Sequence, residues 1–104
     1  MTRAYYSDSI SNFLVEHKES ILGKLITNHT NRTLEELQRN AWICQIEILK
    51  DQLKGIHGTI YFEFSIPRMG KRVDNIIIIG DCVFVVEFKV GSGSYDKHAI
   101  EQLI

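Results

Sequence analysis

The spacing of apolar residues divides the chain near residue 55 into a helical first half and a strand-rich second half. In the first half, apolar residues recur at the three- to four-residue intervals that are typical of one face of a helix. This pattern predicts two short helices over 8–15 and 18–28 and a longer one over 34–54.

The longest predicted helix carries both a start and a stop signal. Thr33 followed by Glu36 is a capping box, and Gly55 marks the end of the helix. Its apolar residues form a wide face, which predicts that the helix lies on a sheet. Glu47 lies just outside that face, at the margin between the helix and whatever it covers.

The second half is rich in β-branched and aromatic residues, which predicts strands. Three strands are expected, over 57–66, 72–79 and 82–90. The last two meet at Gly80-Asp81, a two-residue signal for a hairpin turn.

A further helix is predicted to begin at Lys97, with Asp96 as its cap. The resulting order is helices, three strands and the start of a helix. This order predicts an α+β fold with an antiparallel three-stranded meander. A length of 104 residues leaves room for a single domain.

The charge balance excludes a global attraction to polyanions. Twelve basic and 13 acidic side chains give a net charge of −1, so binding to nucleic acid would need a local basic patch. The chain has no apolar run long enough to cross a bilayer and no signal-peptide pattern, so we expect a cytoplasmic protein without a membrane partner.

The hairpin register brings four charged residues together. With Gly80-Asp81 as the turn, Asp74 is expected to face Glu87, and Arg72 is expected to face Lys89. Because side chains alternate along a strand, all four are predicted to lie on one face of the sheet. The opposite face carries the predicted core residues Val73, Ile77, Ile79, Phe84, Val86 and Phe88.

Two carboxylates directly opposite each other destabilise a sheet. A divalent cation held between Asp74 and Glu87 would turn this repulsion into coordination, and hard oxygen ligands favour Mg²⁺ or Mn²⁺. The structural alternative is a charged face that is simply solvated.

Basic residues flank the predicted metal site. Lys89 lies two residues from Glu87, where an ammonium group could hold a water molecule and neutralise developing charge. Arg68, Lys71 and Arg72 form a local basic patch suited to phosphate contacts, and the alternative is a solvated turn.

These residues carry a resemblance to a known superfamily. Asp74, followed by Glu87-Phe88-Lys89 on a hydrophobic strand, resembles the D…ExK signature of PD-(D/E)XK nucleases. The stretches 37–42, 62–74 and 86–91 are similar to the N-terminal region of bacterial proteins that join such a domain to a superfamily 1 helicase, the DUF2075 (Schlafen group 3-like) group. The resemblance covers essentially the whole chain.

The resemblance implies a restriction-endonuclease-like core with Mg²⁺-dependent hydrolysis of phosphodiester bonds in DNA. In that case Asp74 and Glu87 are metal ligands, the Phe88 carbonyl completes the metal shell, and Lys89 orients the attacking water.

Two further catalytic residues follow from the resemblance. The family often has an acid on the first core helix, and Glu47 matches it best. Members of the RecB-like variant carry a Gln on the helix after the ExK strand, and Gln102 matches that position.

The resemblance also implies that the core continues with the rest of that helix and a fourth strand. We therefore expect an incomplete domain in which the strand 82–90 has an unpaired edge. Because open edges recruit other chains, a homo-oligomer or a partner chain is expected to complete the sheet.

Two functions are consistent with these patterns. The first is a metal-dependent nuclease domain within a helicase–nuclease or phage-defence system. The alternative is a catalytically idle module that binds nucleic acid or a partner subunit.

Overall fold

The structure is a computed structural model that describes residues 3–29 and 36–89, together with the backbone of residues 97–103. Its elements follow the order β1 (Tyr6–Ser9), α1 (Ile10–Val15), α2 (Lys18–Asn28), α3 (Glu36–Gln52), β2 (Thr59–Ile66), β3 (Lys71–Ile79), β4 (Cys82–Lys89) and β5 (Lys97–Leu103). The five strands form one antiparallel sheet in chain order. The α+β class and the central meander are confirmed, whereas the predicted number of strands is wrong.

The first additional strand lies at the N-terminal edge of the sheet. Residues 6–9 pair with β2, so the first helix begins at Ile10 and not at residue 8. Ser9 caps this helix, because its hydroxyl accepts a hydrogen bond from the backbone N–H of Asn12 at 3.1 Å. A short polar strand gives no signal in the hydrophobic periodicity, so the sequence pattern could not separate β1 from α1.

The second additional strand replaces the helix predicted from Lys97. β5 pairs along β4 from Val83 to Lys89, with residues 103 to 97 running in the opposite direction. Strand pairing satisfies the backbone groups along the open side of β4, whereas a short helix would be marginal in water. The prediction that 82–90 has an unpaired edge is therefore wrong for residues 83–89. The expectation of a second chain rested on that edge, so it loses its stated reason. The proposed cap Asp96 lies outside the described residues.

The long helix is α3, and it packs on the sheet as its apolar face predicted. Its described part begins at Glu36, and the proposed cap Thr33 lies outside the described residues. Its buried side chains are Ala41, Trp42, Gln45, Ile46 and Leu49. Trp42, Ile46 and Leu49 join a core with residues from α1, α2 and the strands, including Phe13, Leu25, Phe62, Ile77 and Val86. No helix within the described residues is long and apolar enough to cross a membrane.

The predicted hairpin is present with the predicted register. Ile79 pairs with Cys82, and the ladder between β3 and β4 continues to Asn75 and Val86. Gly80 has a φ of 59°, a conformation that a two-residue hairpin turn requires and that glycine adopts without a Cβ penalty.

Candidate active site

The hairpin brings the carboxyl groups of Asp74 and Glu87 into contact. They stand one step beyond the last paired residues of the β3–β4 ladder, Asn75 and Val86. The two side chains are close enough for the charge of Asp74 to act on Glu87, and an Asp74 carboxylate oxygen (Oδ2) accepts the backbone N–H of Phe88 at 2.7 Å. The contact that the register predicted is present.

Burial raises the pKa of both carboxyl groups. For Asp74, desolvation is the largest cause, and the hydrogen bonds from Phe88 and with Glu87 act against it. For Glu87, desolvation is again the largest cause, followed by the negative charge of Asp74, and the ammonium of Lys71 acts in the opposite direction. Both groups therefore lie where a carboxylate is poorly solvated, which is where a cation stabilises it most.

A third carboxyl group, that of Glu63 on β2, belongs to the same region. Glu63 stands at the register position opposite Asp74, between the pairs Phe62–Asn75 and Phe64–Val73. Its carboxylate accepts a hydrogen bond from the indole N–H of Trp42 at 3.2 Å. Burial is the main cause that raises its pKa, and the charges of Asp74 and Glu87 add to the effect.

Sequence reasoning missed Glu63. The residue interrupts the aromatic run Phe-Glu-Phe in a predicted strand, which reads as ordinary alternation. Its significance depends on the pairing of β2 with β3, and the turn between these strands has no two-residue signal that would define a register. Glu63 also has a φ of 54°, which no sequence pattern predicts for this residue type.

The predicted pair of Arg72 with Lys89 is not part of the β3–β4 ladder. The β3–β4 ladder ends at Asn75 and Val86, so strand alternation no longer fixes the direction of the residues beyond it. The Arg72 guanidinium Nη1 donates to the Glu63 backbone carbonyl at 3.3 Å, and its central carbon lies 4.4 Å from the centroid of the Tyr5 ring.

The remaining basic residues are exposed. Lys71 begins β3 and is the basic neighbour that lowers the pKa of Glu87. Arg68 lies in the turn between β2 and β3 with a φ of 69°. Lys89 ends β4 at the register position opposite Lys97 of β5. Of the basic patch predicted from sequence, Lys71 acts on Glu87 and Arg72 acts on Glu63, whereas Arg68 lies in the exposed turn.

The structure does not bring Glu47 to the carboxyl pair. Its carboxylate forms an exposed ion pair with Lys18 of α2 at 2.9 Å. The helix rotation that buries Trp42 and Ile46 directs Glu47 toward solvent and α2. The prediction that Glu47 overhangs the charged residues of the hairpin is therefore wrong.

Gln102 also differs from its predicted setting. It lies on β5 at the register position opposite Phe84, and not on a helix after the ExK strand. The correction follows from the pairing of β5 with β4. For Phe88, the backbone N–H contacts Asp74, and the role of its carbonyl as a ligand stays a prediction.

The donor chemistry of the carboxyl pair fits a hard divalent cation. Asp74 and Glu87 supply oxygen ligands only, and each repels the other in its charged form. Across residues 3–29 and 36–89, no three His, Cys, Asp or Glu side chains converge closely enough to hold a metal ion between them. Two protein carboxylates with water or phosphate oxygens are a common arrangement for Mg²⁺.

Comparisons with protein-family models, with curated proteins and with solved structures found no match to this chain.

Proposed function

We propose that this chain is a Mg²⁺- or Mn²⁺-dependent nuclease domain that hydrolyses phosphodiester bonds of DNA. The observation that carries the proposal is the contact between the half-buried carboxyl groups of Asp74 and Glu87 on adjacent strands. Two buried acids in contact are unfavourable unless a proton or a cation lies between them. The resemblance to PD-(D/E)XK nucleases supplies the reaction class, the DNA substrate and the setting in a helicase–nuclease or phage-defence system.

In this proposal Asp74 and Glu87 bind the cation, and the Phe88 carbonyl completes its protein ligands. The bound cation would lower the pKa of a water molecule and offset charge on the phosphate. Lys89, two residues beyond Glu87, orients the attacking water and donates to the phosphate oxygens. The exposed side chains of Arg68 and Lys71 attract the nucleic-acid backbone.

One observation favours the second candidate, an idle nuclease-like module that binds nucleic acid or a partner subunit. The described residues bring no third His, Cys, Asp or Glu side chain to the Asp74–Glu87 pair to form a metal-binding group. An idle module would still bind a labelled oligonucleotide, but it would not cut one.

The test is cleavage of supercoiled plasmid and of a labelled single-stranded oligonucleotide in Mg²⁺, Mn²⁺ or EDTA. We expect metal-dependent products, and we expect Lys89→Ala and Asp74→Asn to reduce the rate by roughly 10²-fold or more. Lys54→Ala is the matched control, because Lys54 is an exposed lysine that pairs with Asp51.

The outcomes separate the two candidates. Metal-dependent cleavage that survives Lys54→Ala and is lost in Lys89→Ala supports the nuclease. Oligonucleotide binding without cleavage in either metal supports the idle module. Cleavage that persists in both Lys89→Ala and Asp74→Asn would contradict the proposed site.

A further inference from the structure

We propose that Arg72 is the phosphate-positioning residue of this site, held in place by the ring of Tyr5 and the backbone of Glu63. This inference rests on the proposed nuclease function and assigns a separate task to one of its basic residues. Arg68 and Lys71 attract the nucleic acid, whereas Arg72 orients one phosphate against the carboxyl pair.

Two contacts restrict the guanidinium group of Arg72. Its central carbon lies 4.4 Å from the centroid of the Tyr5 ring, within the distance of a cation–π interaction. Its Nη1 donates to the carbonyl of Glu63 at 3.3 Å. A side chain that is restricted in this way loses less conformational entropy when it binds a ligand.

Among the described residues, these contacts leave most of the hydrogen-bond donors of Arg72 available. A guanidinium has five N–H donors, and the carbonyl of Glu63 takes one of them. Stacking on the face of Tyr5 does not use the N–H groups in the guanidinium plane. The residue is exposed, so a phosphate can approach these donors and form a bidentate contact.

The backbone of Glu63 provides the second contact through an unusual conformation. Its φ of 54° is in the left-handed region, which a glutamate in a strand rarely adopts. At this residue the β2–β3 ladder omits one pair, that of Glu63 with Asp74. The Glu63 carbonyl accepts a hydrogen bond from the Arg72 guanidinium. Glu63 itself is at the register position opposite Asp74.

Glu63 therefore links the position of Arg72 to the proposed metal ligands. The same residue contacts Trp42 of α3 through its carboxylate, so the local backbone is tied to the core. In contrast, Arg68 lies in the exposed turn, and Lys71 is at the exposed start of β3. The three basic residues thus differ in how firmly the structure holds them.

The first experiment compares Arg72→Ala, Arg72→Lys and Arg68→Ala by steady-state cleavage and by oligonucleotide binding with Ca²⁺ in place of Mg²⁺. We expect Arg72→Ala to reduce kcat by on the order of 10²-fold, since misplacement of the reacting group by about 1 Å has this effect. Arg72→Lys retains the charge, so binding is expected within about threefold of wild type while kcat stays low. Arg68→Ala is expected to raise KM with little change in kcat, because it removes attraction and not alignment.

The second experiment separates the backbone of Glu63 from its carboxylate. Glu63→Gly and Glu63→Val both remove the carboxylate, but only glycine adopts the left-handed conformation without strain. We expect Glu63→Gly to retain at least about tenfold more kcat than Glu63→Val, since it preserves the carbonyl that holds Arg72.

The results distinguish this inference from the proposed function. If wild type cuts DNA and Arg72→Ala has an unchanged kcat, the inference is wrong and the nuclease proposal stands. If Arg72→Lys restores kcat, a simple charge is sufficient and the positioning role is also wrong. If wild type cuts neither substrate in Mg²⁺ or Mn²⁺, the proposed function fails, and this inference fails with it.

Discussion

Asp74 and Glu87 show how burial changes the behaviour of two ordinary carboxyl groups. Desolvation raises the pKa of each, and the charge of Asp74 raises the pKa of Glu87 further. Without a cation, a proton held by one of the two groups reduces their repulsion. The two residues therefore oppose folding at neutral pH, and the proposed cation site would offset this cost.

Replacing Glu87 with Gln should stabilise the protein in EDTA. The change removes one charge from the pair but keeps a group that can hydrogen bond, so we expect a gain of about 0.5–1 kcal/mol in the free energy of unfolding. Urea unfolding in EDTA and in saturating Mg²⁺ measures the effect. Mg²⁺ should stabilise wild type and leave Glu87→Gln nearly unchanged, because a bound ligand stabilises only the state that binds it.

Glu47→Gln is the matched control for this prediction. Glu47 forms an exposed pair with Lys18, so its loss should change stability little and leave the response to Mg²⁺ intact. A Glu87→Gln variant that is less stable than wild type in EDTA would show that the pair supports the fold and does not oppose it.

At the scale of elements, β5 decides whether β4 is an edge strand of the sheet. β4 is apolar and strongly β-prone, and it pairs with β3 on one side and β5 on the other. Strands of this kind associate with other chains when their edge is open. Pairing with residues 97–103 covers this edge of β4 within the chain.

Ile100→Pro should open this edge. Ile100 pairs with Val86 in the middle of the β4–β5 ladder, where proline removes a backbone donor and holds φ near −65°, away from strand values. We expect the variant to form oligomers or aggregates, measured by light scattering over a range of concentrations. Ile100→Val, which keeps a β-branched side chain, should behave as wild type. A Pro variant that scatters light as wild type does would contradict the assignment of β5.

Two glycines provide a second test at the scale of elements. A Cβ atom on Gly58 would clash with the backbone carbonyl of Ile78 on β3, so Gly58→Ala should cost about 1–3 kcal/mol of stability. Gly23 lies in α2, where a methyl group would meet no atom of the described residues within 4 Å beyond its own helix backbone and chain neighbours. Gly23→Ala should therefore stabilise the protein by about 0.5–1 kcal/mol. Thermal unfolding of both variants measures the difference, and equal effects would mean that Gly58 and β3 are not packed as closely as the structure has them.

At the scale of the whole molecule, two sets of acids respond to pH in opposite directions. Burial raises the pKa of Glu63, Asp74 and Glu87 above the ordinary range. For Glu16, burial acts in the same direction, but hydrogen bonds from Lys24, Ser20 and Tyr6 outweigh it and lower the pKa to about 2. Protonation of Glu63, Asp74 and Glu87 therefore stabilises the folded state, whereas for Glu16 the ionised form stabilises it.

The stability of the metal-free protein should therefore pass through a maximum at mildly acidic pH. In the folded state the three acids with raised pKa values bind protons more readily than in the unfolded state, so stability rises as pH falls from neutral toward about 4.5. Below about pH 4, Glu16 begins to lose its stabilising charge, so stability falls. Urea unfolding across this range in EDTA measures the profile.

Glu16→Gln is the control for the acid side of the profile. It removes the group with the lowered pKa, so the decrease below about pH 4 should become shallower. A stability that falls steadily from neutral pH downward would contradict the burial of the three acids on the sheet.

The sequence by itself determined the elements whose signals are local. The helix over residues 18–28 and the Gly80-Asp81 hairpin were predicted with their observed bounds and register, because periodicity and a two-residue turn depend on near neighbours. The contact of Asp74 with Glu87 follows from that register. These predictions needed no information about how distant segments pack.

Only the tertiary structure decided the rest of the site. The strand from Lys97 to Leu103 depends on the open side of β4, and the rotation of α3 that directs Glu47 to Lys18 depends on which side chains the core accepts. Glu63 joins Asp74 through the pairing of β2 with β3, where no short turn defined the register in advance. The physical reason is common to all three. Long-range pairing and burial depend on the whole chain, whereas sequence patterns report the preferences of a few neighbouring residues.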